Sequence, residues 1–218
     1  MKKIKNHIVA IGFLFFSMAT FAGAYDDFFK AIQLDNARDV EQLLARGFDP
    51  NTPNPQGVPA LLKATQEQSF KAAAVLASHD QTQVDPRSER NESPLMLAAL
   101  RGQEALVQTL VARGAEINKT GWTPLHYAAT GGHLRVMAFL IGAQAEVDAG
   151  SANGTTPLMM AAMYGNAASV KLLLESGADP QIRNAQQLSA LDFAQRAGRT
   201  DSAALIGQVL RRQAEQRP

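Results

Sequence analysis

Few side chains in this 218-residue chain could do chemistry. Three of its histidines, His79, His126 and His133, lie in the body of the sequence, and cysteine is absent. Without a thiol there is no thiolate nucleophile, no disulfide and no sulfur ligand for a metal. His79 beside Asp80 has the composition of a base and its orienting carboxylate. Asp80, however, stands where a helix must end, a place where Asp tolerates positive φ, and the pair is read as a turn. His126 and His133 are seven apart with no carboxylate at ligand spacing, so they do not make a zinc site. Thr120-Gly121 and Asn153-Gly154 read as loop-tip turns, not phosphate loops. Asn91-Glu92-Ser93 has the form of a glycosylation acceptor but is followed by Pro94. No catalytic residue, metal or cofactor is expected.

The elements around these residues recur. Ser93-Pro94-Leu95-Met96-Leu97-Ala98-Ala99 returns as Thr123-Pro124-Leu125-His126-Tyr127-Ala128-Ala129 and as Thr156-Pro157-Leu158-Met159-Met160-Ala161-Ala162. A weaker copy runs from Ser189 to Ala194. Each block reads as a helix start: a Ser or Thr oxygen to cap free N–H groups, then proline where a missing N–H costs nothing. Gly102, Gly132, Gly165 and Gly198 follow as helix stops. A second apolar run comes next, at spacings of three and four. Examples are Leu106, Val107, Leu110 and Val111, then Val136, Met137, Leu140 and Ile141, then Val170, Leu172, Leu173 and Leu174. Gly114 and Gly177 cap two of these second helices.

A period near 33 residues, with Thr-Pro-Leu-His and a late Gly-Ala-Asp, resembles the ankyrin repeat. The resemblance implies an all-α ankyrin-repeat solenoid of about six helix–turn–helix repeats. They cover residues 25–54, 55–88, 89–118, 119–151, 152–184 and 185–218. The block leucines Leu61, Leu95, Leu125, Leu158 and Leu191 set the register, and one period before Leu61 falls on Phe28, with Ala31 and Gly47 in their slots. The first and last repeats depart most from the pattern and are expected to act as caps facing water. Asp39 and Gln42, for example, sit in slots that are apolar in the inner repeats. The second repeat is alanine-rich, at Ala72, Ala73 and Ala77, with Gln68 in a glycine slot, and is expected to be the softest.

Residues 1–24 read as a cleavable secretory signal peptide. Lys2, Lys3 and Lys5 are followed by an apolar stretch from Ile8 to Phe21 and by Ala22-Gly23-Ala24, with cleavage between Ala24 and Tyr25. The leader points to a Gram-negative bacterium and a periplasmic product. Its apolar run is short for a membrane span; an uncleaved N-terminal anchor is the alternative, and no membrane attachment is expected once the leader is removed. Loss of its three lysines leaves 18 basic against 20 acidic residues and turns the net charge from +1 to −2. Nucleic acid is therefore not an expected partner. Arg211, Arg212 and Arg217 read as a solvated basic end.

In ankyrin proteins, partners usually meet the loop tips, or fingers, and the neighbouring ends of the first helices. Carried over by register, these slots include Arg90, Leu100 and Arg101 in the third repeat and Lys119 and Trp122 in the fourth. In the fifth they include Asn153, Met163 and Tyr164. Trp122 is the only tryptophan, and Trp, Tyr and Arg dominate interface energetics. Its finger is three residues short, which should open a notch beside it, and its truncation is expected to leave stability nearly unchanged. The resemblance implies a monomeric, non-enzymatic module that binds another protein. Exported ankyrin proteins of this kind include some linked to catalase support and peroxide defence, which suggests an accessory or scaffold role for a periplasmic enzyme. An immunity or inhibitor protein that plugs a toxin with its fingers is the alternative.

Overall fold

The computed structural model describes residues 23–216. Residues 1–22 of the expected leader, and Arg217 of the basic end, lie outside them. Among the described residues are twelve helices, taken in pairs. The pairs are α1 (residues 23–33) with α2 (Ala37–Ala45), and α3 (Ala60–Gln66) with α4 (Phe70–Ser78). Next come α5 (Pro94–Leu100) with α6 (Glu104–Ala112), and α7 (Pro124–Gly131) with α8 (Leu134–Gly142). The last are α9 (Pro157–Met163) with α10 (Ala167–Glu175), and α11 (Ala190–Arg196) with α12 (Thr200–Glu215). This is an all-α ankyrin-repeat architecture of about six helix pairs. No described helix is long and apolar enough to cross a membrane.

The chain divides into two compact units, one ending at Gln83 and one beginning at Val84. In the first, Phe28 is fully buried and its ring lies 4.4 Å from that of Phe48. Tyr25, just beyond the expected cleavage point, is already part of α1. Its ring lies 5.0 Å from Phe29 and its hydroxyl donates to the Pro53 carbonyl at 3.1 Å. Asp35, at φ +51°, accepts from the backbone N–H groups of Lys71 and Ala72 and so fixes the start of α4.

In the second unit, α5, α7, α9 and α11 pack side by side as one layer, and α6, α8, α10 and α12 as another. The core lies between them, with Leu95, Leu125 and Leu158 fully buried against Leu110, Leu140 and Leu173. Helix starts follow the capping pattern. Ser93 accepts from Met96 N–H and Thr156 from Met159 N–H. Ser189 and Asp192 cap each other reciprocally.

Two local readings, those of Asp80 and Gly165, change. Asp80 does not adopt positive φ. α4 ends instead through His79 in an extended conformation, and a turn from His79 to Thr82 carries the chain away. Gln68 and Gln144 take the left-handed conformation where other repeats have glycine. Gly165 serves close approach, not positive φ: a Cβ there would meet the Ala129 carbonyl at 2.5 Å. In α10 the buried row also contains a hydroxyl, Ser169, which is held by Asn166.

Candidate protein-interaction site

The fingers are built on a fixed distance. Gly57, Asn91, Gly121, Gly154 and Gln187 all have positive φ, and each lies four residues before its block leucine. From the capping turn to the tip, finger length varies. Gly47 to Gly57, Gln144 to Gly154 and Gly177 to Gln187 are each ten residues apart, whereas Gly114 to Gly121 is seven. The missing three residues therefore fall upstream of the tip, leaving the junction with α7 intact.

Successive fingers are tied by a ladder of side-chain acceptors. Within the first unit, Asn51 accepts from Gln83 N–H at 2.7 Å. Within the second, Asp85 faces Glu116 N–H, Asn118 accepts from Glu146 N–H, and Asp148 accepts from Asp179 N–H. Burial pushes the Asp85 and Asp148 carboxyls above the usual carboxylate range, against the opposing effect of these bonds. Sequence reasoning missed this ladder. Its signal was available: Asn51, Asn118 and Asp148 each stand four residues after a capping position. It also missed Arg87, whose guanidinium pairs with Asp85 and, at 2.7 Å, with Glu116.

A notch of about 320 Å³ lies over the short finger. It is lined by Lys119, Thr120, Gly121 and Trp122, by Arg90 and Asn91 of the preceding finger, and by Gly150, Ser151 and Ala152 of the following one. Trp122 keeps 36% of its surface exposed, and its ring meets that of His126 edge-on at 5.1 Å. This contact corrects the picture of a finger aromatic independent of the scaffold. Truncating Trp122 also removes an aromatic contact of the kind worth about 0.5–1.5 kcal/mol. Lys119 donates to the Asn91 carbonyl at 2.7 Å and lies 3.9 Å from Met96 Sδ, so it straps the short finger to its neighbour. Burial, and next the Arg87 charge, hold its pKa below the usual lysine value.

His126 is fully buried. Thr123 N–H donates to its Nδ1 at 3.1 Å, so Nε2 carries the proton and donates to the Thr155 carbonyl at 2.9 Å. Burial lowers its pKa to about 4, so at neutral pH it is an uncharged structural link from α7 to the next finger. His133 Nε2 lies 2.9 Å from the Leu100 carbonyl and likewise ties neighbouring repeats. Tyr127 donates to Glu92 at 3.0 Å, and burial raises its pKa.

The eight predicted contact residues therefore separate. Arg90, Lys119 and Trp122 line one notch, with Asn153 following the lining residue Ala152 in the chain. Leu100 and Arg101 close α5, and Met163 and Tyr164 close α9, at the other end of the first helices. Of these, Tyr164 is the most open aromatic, 53% exposed.

The ankyrin-repeat family profile matches three times, over residues 28–120, 117–184 and 145–207. This chain belongs to the ankyrin repeat family. It is 32% identical over 162 residues to the tyrosine-protein kinase Shark of Drosophila melanogaster, across 72% of this chain and 17% of the kinase. It is 34% identical to the ankyrin repeat protein nuc-2 of Neurospora crassa, across 56% of this chain and 12% of that protein. It is also 34% identical to the NF-kappa-B inhibitor delta of Mus musculus, across 58% of this chain and 38% of the inhibitor. The matched segments are thus minor parts of these longer relatives. Ankyrin repeats are typically non-catalytic and suggest a protein–protein interaction module.

Proposed function

We propose that the chain is a monomeric, non-enzymatic binding module that works in the periplasm after removal of residues 1–24. It would act there as an accessory or scaffold factor for an enzyme, with peroxide-handling enzymes such as catalases the first clients to test. The notch over Trp122 carries this reading. It is a concave site at the fingers lined by a partly exposed aromatic, Trp122, and by two cations, Arg90 and Lys119. The export reading rests on the order of charge, apolar run and small residues before Tyr25. Two experiments test the proposal. N-terminal sequencing of the protein from fractionated cells is expected to begin at Tyr25, and intact Met1 in the cytosolic fraction would contradict export. Capture from a periplasmic extract, followed by mass spectrometry, is expected to recover an enzyme. Recovery of a single toxin, bound at nanomolar affinity or tighter, would favour the immunity or inhibitor reading instead. The word inhibitor in the name of the mouse relative keeps that second reading in play.

A further inference from the structure

The short finger changes the charge of its surroundings as well as their shape. Among the residues that line the notch, Arg90 and Lys119 are cationic and none is a carboxylate. The nearby acids are occupied elsewhere. Glu92 accepts from the Tyr127 hydroxyl. Asp85 and Glu116 are held by Arg87. Glu89 is exposed next to Arg90 but does not line the notch. Arg90 itself is exposed and makes no ion pair among the described residues. The Lys119 ammonium has three donors, and among the described residues its oxygen partner is the Asn91 carbonyl. The following finger adds to the lining Ser151, which is itself buried, and Gly150, which has no side chain to fill the space. A volume of about 320 Å³ is at the small end of ligand sites, large enough for a few extended residues and too small for a helix about 10 Å across.

We infer that this notch receives an acidic, extended segment of a partner protein, with a carboxylate between Arg90 and Lys119 and an apolar side chain against Trp122. The inference rests on the interaction reading above and names the chemistry of the partner. Carboxylate binding by an arginine fork and an ammonium in a partly desolvated site is charge-assisted. It should therefore weaken as salt rises. The recognition is local. The chain carries −2 overall without its leader lysines, so long-range charge does not draw acidic partners to it.

Trp122, as the sole tryptophan, reports on the site by its own fluorescence. The probes are a ten-residue peptide alternating Glu or Asp with Leu, the same peptide with Lys for each acid, and a ten-residue oligothymidylate. The acidic peptide is expected to give a saturable emission change with half-saturation below about 1 mM. Raising the salt from 0.05 to 0.5 M, and separately the variant Arg90→Glu, should each weaken it by about tenfold. Circular dichroism on Arg90→Glu controls for folding, and the exposed position makes the substitution safe. The inference is overturned if the lysine peptide binds as well as the acidic one, if only the oligothymidylate binds, or if Arg90→Glu changes nothing. Loss of capture of the periplasmic client by Trp122→Ala, with no acidic-peptide binding, would overturn the charge assignment and leave the interaction reading standing. Normal capture by Trp122→Ala would overturn the site itself.

Discussion

The fourth and fifth fingers sit side by side in the same compact unit and solve one problem in two ways. The fifth is full length and adds bonds within its own tip to those it makes with its neighbours. Ser151 N–H donates to the Thr155 carbonyl, the Ser151 hydroxyl to Asn153 Oδ1, and Thr155 N–H back to the Ser151 oxygen. Near its tip the exposed residues are Gly150, Ala152 and Asn153, with no large aromatic. The fourth lacks three residues. It is held by contacts reaching outward: Lys119 to the preceding finger, Asn118 to Gln144 and Glu146, and Trp122 onto His126. The lesson is that the tip-to-helix spacing is what the scaffold needs, while the upstream segment can be spent on shape. Deletions in repeat proteins map to such loops, and the loops of one face are the binding face.

The first way to break this comparison is at the residue that supports both fingers. His126 holds the Thr155 carbonyl of the fifth finger and backs Trp122 of the fourth, whereas Met159 occupies the same slot on α9 with only a long contact, 3.4 Å, from Thr156 N–H. His126→Ala should cost about 4 kcal/mol in urea unfolding, through a cavity and orphaned partners. Met159→Ala should cost about 2–3 kcal/mol. Equal costs would remove the special role of His126.

A slightly smaller effect follows from pH. The His126 pKa is near 6.5 when unfolded and about 4 when folded. The unfolded chain therefore binds the extra proton in that window. The stabilisation is complete above pH 6.5 and is lost progressively as pH falls toward 4. The total is on the order of 3 kcal/mol. Urea titrations at pH 7 and pH 4 should show this loss, and His126→Met should remove that part of the pH dependence.

The smallest expected effect contrasts two helix pairs. α3 follows Pro59, which supplies no side-chain cap, and α4 buries Ala72 and Ala73 where α8 buries Val136 and Met137. Each missing methylene removes about 0.8 kcal/mol of burial. Amides of α4 should exchange at least about tenfold faster than those of α8 in native-state hydrogen exchange. Equal protection would show that neighbouring contacts compensate for the alanines.

Most of the fold was legible because its signals are local and repeated. Thr156 and Pro157 announce a helix start wherever they occur, and a buried leucine every 33 residues or so needs no tertiary information. The short finger could be counted directly. Other features were not legible because they depend on distant groups. Gly165 looks like a helix stop in sequence, yet its constraint is the Ala129 carbonyl of another helix. Asp80 looked like a left-handed cap, but α4 ends in an extended residue and never forms that turn. Register placed Trp122 in an open slot and could not show that the His126 ring would cover part of it. The helix-end residues Arg101 and Tyr164 were grouped with the finger residues because register does not separate the two ends of a first helix from the notch.

Restoring the missing length tests the central claim most directly. Inserting Ala-Gly-Ser after Asn118 gives the fourth finger the spacing of the fifth, where Ala149, Gly150 and Ser151 occupy those positions. Loop insertions of this size change stability by less than about 1 kcal/mol, so helical content and melting temperature should stay close to those of the parent. The notch would be filled and the Lys119 strap displaced. Capture of the periplasmic client should then fall by about thirtyfold, the loss expected when an anchor worth about 2 kcal/mol is removed. A folded insertion variant that captures its client as well as the parent does would contradict the account.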